Sequence, residues 1–436
     1  MGQFEQTVDF WDEVRHRLKV APAPSTISDQ GAKLCNELGV DESALYGLPV
    51  PHRRLERWKH TPVASLLQGG WKQVASAPAV DGVSGEEPVP GLNAYRLVFV
   101  NGHFSMELSD LPVAEGVRCS PLKDGPAQPW MAGVHQEDWF AALHAAAAQD
   151  GMLLEVESGV QLDRPILVHH LTEGNGVAAF PRHVIRLGTG ASVKLVGWHS
   201  SSETSTGMVI SRWDVDLAEQ AHCEWDQIEA SAGAVHHLHF PCIRQAKSSS
   251  FRIHSVSPQS HWSRHDLRIR LEGEHTETVL HGCSLPQGKE FIDHHTTVDH
   301  RMPNGKSKED YRCVLHDQAT AVFNGKVFVR PDAQKTDAYQ KSANILASDK
   351  ATLHAKPELE IYADDVKCSH GCTIGQLDEE ALFYAKSRGI SDSDAHALLV
   401  EAFIAEVVDG IGLTEVRDEV QRLFAVRRGW LTNDRS

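Results

Sequence analysis

Cys368, His370 and Cys372 lie together in the run from Lys356 to Ser391, KPELEIYADDVKCSHGCTIGQLDEEALFYAKSRGIS. Thiolate and imidazole are the side chains that hold iron, zinc and copper. Before them, Leu359, Ile361 and Ala363 alternate with Glu360, Tyr362 and Asp364, which predicts a half-buried strand leading into the cluster. On one strand face Cys368 and His370 stand about 7 Å apart. Gly371 can bend the chain before Cys372. Two or three ligands do not close a metal site.

Other residues with ligand chemistry are spread through the chain, which has 26 histidines. His237 and His239 share a strand face in VHHLHF, and His294 and His295 follow Asp293. Two histidines and a carboxylate form the ligand set of some non-haem iron oxygenases. With so many histidines, solvated or hydrogen-bonded strand residues are the plainer account of each pair. Nucleotide chemistry is not encoded. NGKS at Asn304 to Ser307 has His300 where a phosphate-binding loop needs glycine, and the GKV at Gly325 lacks the hydroxyl residue.

Composition sets the frame for these groups. A chain of 436 residues, 41% hydrophobic and 23% charged, can bury a large core over two or three domains. The net charge of −17 argues against nucleic acid or anionic lipid as a partner. The start MGQFEQTVDFWDEV lacks an export pattern, and Glu401 and Glu406 interrupt the most apolar helix, so a cytoplasmic protein is expected. Eight cysteines at irregular spacings, with no CxxC pair, fit reduced thiols better than a disulfide framework.

The pattern divides the chain into four regions. Residues 1–75 read as helical, with Phe4, Val8, Trp11, Val14 and Leu18 at helical spacing. Residues 76–150 begin with a Pro/Gly/Ser-rich linker and lead through the helical WFAALHAAAA. Residues 151–375 are short alternating strands with a degenerate repeat starting at Leu187, Leu217, Leu271, Leu315 and Ala347. Spacings of 30, 54, 44 and 32 suit coils of a parallel β-helix with variable loops, while a β-sandwich gives a similar pattern. Residues 376–436 turn helical. Asp378 is a fitting N-cap, Gly389 a C′ residue, Ser391 with Asp394 a capping box, and a third helix runs from Thr414 to about Val426.

Three stretches resemble the SufB/SufD family of the SUF iron-sulfur cluster assembly system. They are the Lys356 to Ser391 run, LPVPHRRLERWKHTPVASLL at Leu48 to Leu67, and LVFVNGHFSMELSDLP at Leu97 to Pro112. His60 stands where the family usually has tyrosine, and Cys372 where alanine is commoner. SufB-type members carry a Glu-His-Glu stretch near the first run, so Cys-Ser-His-Gly here favours the SufD type. The resemblance implies a mainly β fold, a right-handed parallel β-helix core flanked by N-terminal and C-terminal helical domains. It also implies a non-enzymatic scaffold that assembles or loads nascent iron-sulfur clusters within a SufBCD-like complex. Cys368 and His370 match the family's cluster-assembly positions at the interface with a SufB-like paralogue, with Cys372 as an additional thiol. A transient iron or iron-sulfur cluster would be shared there, and little tightly bound metal is expected in the isolated chain, alone as a homodimer or otherwise. ATP hydrolysis falls to a SufC-like ABC-type ATPase, expected to dock on the C-terminal helices through Asp378, Leu399, Phe403 and Val407. Two other readings compete: a metal-dependent oxygenase using His237 and His239, and a polysaccharide-acting β-helix enzyme.

Overall fold

The computed structural model describes residues 29–45, 47–76, 87–122 and 138–428. The expected helix over Phe4 to Leu18 and most of the linker lie outside these residues. The central strands, in chain order, begin with β1 (Tyr95–Val100), β2 (Gly151–Val156), β3 (Ile166–Thr172), β4 (Arg182–Leu187), β5 (Ser192–Ser201) and β6 (Thr206–Leu217). They continue with β7 (His222–Ser231), β8 (Ala234–Gln245), β9 (Ser250–Gln259), β10 (Trp262–Leu271), β11 (Glu277–Ser284) and β12 (Phe291–His300). The last are β13 (Lys306–Leu315), β14 (Thr320–Val329), β15 (Asp337–Leu346), β16 (Thr352–Ile361) and β17 (Lys367–Gly375). Odd-numbered strands make one sheet and even-numbered strands the other. Neighbours within each of these sets are parallel. The chain therefore winds as a β-solenoid of about 8 turns, and the antiparallel ladders of a sandwich do not form its core.

The corners explain why the sequence repeat looked irregular. Leu187 pairs with Leu217, Leu217 with Gln245, Gln245 with Leu271, and Leu271 with His300. One corner position is thus leucine in some turns and Gln or His in others. Leu315 belongs to the other sheet, paired with Leu346, so the spacing of 44 mixed two corners. Gly190, Gln220, Ser248, His275, Asn304 and Lys335 all have φ between 57° and 67°. Each donates its N–H to a carbonyl of the next turn, as Gln220 does to Lys247 at 3.0 Å, so the left-handed bend repeats as a stack.

Alternation sends one side-chain row of each strand into the lumen. Leu195, Trp213, Trp225, Ile253, Leu267, Leu280, Tyr311 and Phe323 fill it. Helices cover the outside. The N-terminal α1 (Asp29–Leu38), α2 (Ala64–Gln68) and α3 (Trp139–Ala147) share a core with Leu238, Phe240, Trp262 and Phe291 on the even sheet. The Leu48 to Leu67 segment is pinned there. Trp58 lies under Arg264 at 4.1 Å, and Thr61 donates to Asp293 at 2.6 Å.

At the other end of the chain come α4 (Glu379–Ser387), α5 (Asp392–Val408) and α6 (Thr414–Arg427). Asp378 accepts from the amides of Glu380 and Ala381, Ser391 accepts from Asp394 N, and Gly389 has φ +88°, as their residue types require. Val400, Ile404, Val407, Val416, Val420 and Phe424 bury against Val196, Trp198, Ile228 and Val256 of the odd sheet. These helices are part of the solenoid's own outer core.

Candidate functional site

β16 and β17 are the last strands of their sheets, each paired on one side only. β17 is continuous from Lys367 to Gly375, and Gly371 lies within its ladder opposite Lys341. The bend that glycine permits is therefore not made. Gly371 keeps ordinary extended pairing, so Cys368, His370 and Cys372 remain in one row at alternate positions. Their ladder partners are Ala338, Gln340 and Ser342, all buried. The row accordingly belongs to the lumen face, and among the described residues no later turn covers it. Cys368 is half-buried, while His370 and Cys372 are exposed.

Burial raises the thiol pKa of Cys368, an effect opposed by a hydrogen bond with the Ala338 backbone. Cys372 is also raised by partial burial, against a hydrogen bond with Ser342. Both thiols thus lack the cationic surroundings that would make them ready thiolates by themselves. Below His370 the column continues through Gln340 to Glu309. Glu309 accepts from Thr296 Oγ1 at 2.7 Å and from Gln340 Nε2 at 3.3 Å, yet burial pushes this carboxyl up to about 7. Ile361, Tyr362 and Ile374 are large apolar residues left exposed on and beside the terminal strands.

The four residues expected to dock an ATPase do not form one free surface. Asp378 caps α4, Leu399 is partly buried against Leu382, Ala385 and Ala395, and Phe403 is partly buried with Arg312 over its ring at 5.3 Å. Val407 is wholly buried in the solenoid's outer core, so a partner cannot reach it and the expectation is corrected there. The apolar stripe of α5 was read properly as a stripe, but it faces inward. Phe383, Tyr384 and Leu398 are the large apolar side chains that these helices expose.

The other histidine pairs separate on inspection. Asp293 and His295 point away from the lumen beneath the N-terminal segment, where Asp293 also binds Arg264 and Thr61. These contacts make an anchor. His294 faces inward and stacks on His265 at 5.0 Å. NGKS also resolves as structure: it forms a corner leading into a strand, with Lys306 paired to Glu277 at 2.9 Å, where a phosphate-binding loop would lead into a helix.

His237 and His239 are in the lumen, not in solvent. They lie beside His199 and Glu229 in a wholly buried group whose ligand atoms are all within 4.8 Å of one another. Among the described residues this is the one such group of three or more ligand side chains. Burial holds His239 down to about 3 and His199 and His237 well below the usual imidazole range, while it pushes Glu229 well above the usual carboxylate range. His199 and Glu229 escaped sequence reasoning because they are 30 residues apart and meet only through the β5–β7 register.

These features define a β-solenoid protein that is closed along its walls and open at one end, where a row of thiol and imidazole side chains is displayed. Residues 170–403 match the family model described as SUF system FeS cluster assembly, SufBD core domain, and residues 41–168 match the SufBD protein N-terminal region. The chain belongs to the SufBD family of iron-sulfur cluster assembly proteins. A SufBD family protein of Synechocystis is 30% identical over 414 residues, covering 88% of each chain. The iron-sulfur cluster assembly protein SufD of Escherichia coli is 29% identical over 366 residues, covering 83% of this chain and 85% of its own. The chloroplastic protein ABCI7 of Arabidopsis thaliana is 28% identical over 296 residues, 65% of this chain and 62% of its own. Among the described residues no helix is long and apolar enough to cross a membrane.

Proposed function

We propose that this chain is a SufD-type scaffold subunit, which pairs through its open solenoid end with a SufB-like paralogue and shares a nascent iron-sulfur cluster with it. The observation that carries this reading is the uncapped last turn. Unpaired backbone edges on β16 and β17 are a template for another chain. The same end presents Cys368, His370 and Cys372 along one face, a set that a partner's ligands would complete. Exposed Ile361, Tyr362 and Ile374 supply apolar area for the contact.

In this reading the cluster is cargo and ATP turnover belongs to a SufC-like subunit. Phe383, Tyr384 and Leu398 are the residues of the C-terminal helices through which that subunit would dock. The test is co-expression with SufB-like and SufC-like chains and purification on a single tag. His370→Ala should leave complex recovery and thermal unfolding near wild type, because an exposed imidazole contributes within about 0.5 kcal/mol. Iron and cluster absorbance in the complex should fall severalfold. A wild-type cluster yield from the variant would remove His370 from the site.

The oxygenase reading finds its two histidines in a closed lumen. The cavity bordering His239 is lined by Trp213, Trp225 and Tyr311 among others and has room for roughly one water, too little for an organic substrate beside a metal.

A further inference from the structure

The enclosed group around Glu229 has the composition of a resident metal centre. His199 comes from β5, Glu229 from β7, and His237 and His239 from β8. The Nε2 atoms of His237 and His239 lie 3.1 and 3.2 Å from the two Glu229 oxygens. A tetrahedral ion with bonds of about 2.05 Å separates its ligand atoms by about 3.4 Å. The protein thus already holds these atoms near coordination spacing.

Hydrogen bonding leaves the group unfinished. Among the described residues, neither ring nitrogen of His199 has a hydrogen-bond partner, nor does Nδ1 of His237. All four side chains are at most 1% exposed, so solvent does not satisfy them. The outer shell is in place. Ser211 Oγ is 2.7 Å from His239 Nδ1, a contact that turns Nε2 toward Glu229 and fixes the ring. Ser231 Oγ lies 3.0 Å from His237 Nε2, a contact with the ligand nitrogen itself that the ion replaces.

We propose that the solenoid interior binds one divalent first-row transition-metal cation through His199, Glu229, His237 and His239. Three imidazoles and one carboxylate suit borderline cations such as Fe(II), Co(II) or Zn(II), and they do not suit calcium or magnesium, which prefer oxygen. Four protein ligands close the coordination sphere, as structural sites do. The ion ties β5 and β7 of one sheet to β8 of the other across the lumen. It is separate from the terminal row, which lies five strand spacings, about 24 Å, further along the axis. The scarcity of tight metal expected from the terminal motif therefore does not extend to this site. Because the walls are closed, the cation enters as the chain folds.

The full-length chain, purified without oxygen, is unfolded in guanidinium and refolded with Co(II) or with Fe(II) alone, then desalted and analysed for metal. About one cation per chain is expected, with ligand-field bands for Co(II) and a higher Tm than the metal-free protein. The near-isosteric Glu229→Gln and His239→Gln should each bind at least tenfold less. A Cys368→Ser/His370→Ala double variant should bind as wild type, which separates this test from that of the cluster-sharing end. A refolded wild type without metal, or luminal variants loaded as fully as wild type, overturns the proposal. Should the luminal variants fail to fold, X-ray absorption at the cobalt edge of the wild type decides. Imidazole nitrogens with oxygen and no sulfur support the site, whereas sulfur in the coordination sphere assigns the metal to the terminal thiols.

Discussion

The lumen around Glu229 and the open end around His370 use the same strand geometry with opposite results. In both places alternate residues of adjacent strands face the solenoid axis, and parallel register stacks them turn on turn. Around Glu229 further turns lie above and below, so four polar side chains are fully enclosed. At His370 the stack stops, and the same inward row becomes a surface. A polar residue in the lumen thus serves folding or a resident ligand, while the equivalent residue on the last turn is free to serve a partner. The winding, more than the residue type, separates the two roles.

Acid provides the largest expected separation between these regions. His144 and His183 are held down to about 3 by burial and His300 to about 4. Below the unfolded value of 6.5 the unfolded chain takes up protons at these sites and the folded chain does not, so stability falls as pH drops from about 6.5 toward 4. Each contributes about 1.4 kcal/mol per pH unit, and three together about 4. Glu309 acts in the opposite direction, since a carboxyl raised to about 7 in the fold stabilises as pH falls from about 7 to 4.5. One such group does not offset three. Against a typical stability of about 5–15 kcal/mol, cooperative loss of far-UV dichroism near pH 5 is expected. A solenoid intact at pH 4 would mean that these histidines titrate freely and that the buried interior, in the lumen and under α3, is open to water.

Next in size is a paired comparison by denaturant unfolding in the metal-free chain. Glu229→Ala removes the carboxylate that His237 and His239 both face and should cost about 2–4 kcal/mol. His370→Ala should cost under about 0.5 kcal/mol. Equal costs at the two positions would erase the distinction between interior and end.

The parts of this arrangement that are local in the chain were legible in its sequence. Asp378, Gly389, Ser391 and Asp394 act within one helical turn, and their residue types announced the helix ends correctly. The inward stripe of α5 was visible too, although periodicity cannot say which surface a stripe meets, so Val407 was assigned to a partner and not to the odd sheet. His237 and His239 could be placed on one strand face by alternation alone. Their neighbours could not, because His199 and Glu229 join them only through turn-to-turn register. That register was hidden where Gln245 and His300 replace leucine at the corner. Gly371 misled for a related reason: glycine permits a bend, but a paired neighbour strand keeps it extended.

The smallest expected effects lie within the terminal row and would rank its members. Cys368 is half-buried and packs at the edge of the luminal core, so Cys368→Ala should cost about 1 kcal/mol and lower cluster yield in the co-purified complex. Cys372 is exposed on the same face, so Cys372→Ala should leave unfolding within about 0.5 kcal/mol of wild type. Its effect on cluster yield should also be the weakest of the three, because Cys368 and His370 remain as a neighbouring thiol and imidazole. The continuous strand makes this a demanding comparison, since it puts all three side chains on one line toward the same partner surface. Iron content and cluster absorbance of the two cysteine variants, measured beside His370→Ala, decide the order. A loss at Cys372 as large as at Cys368 would make the row a three-ligand site, with less left for the partner to complete.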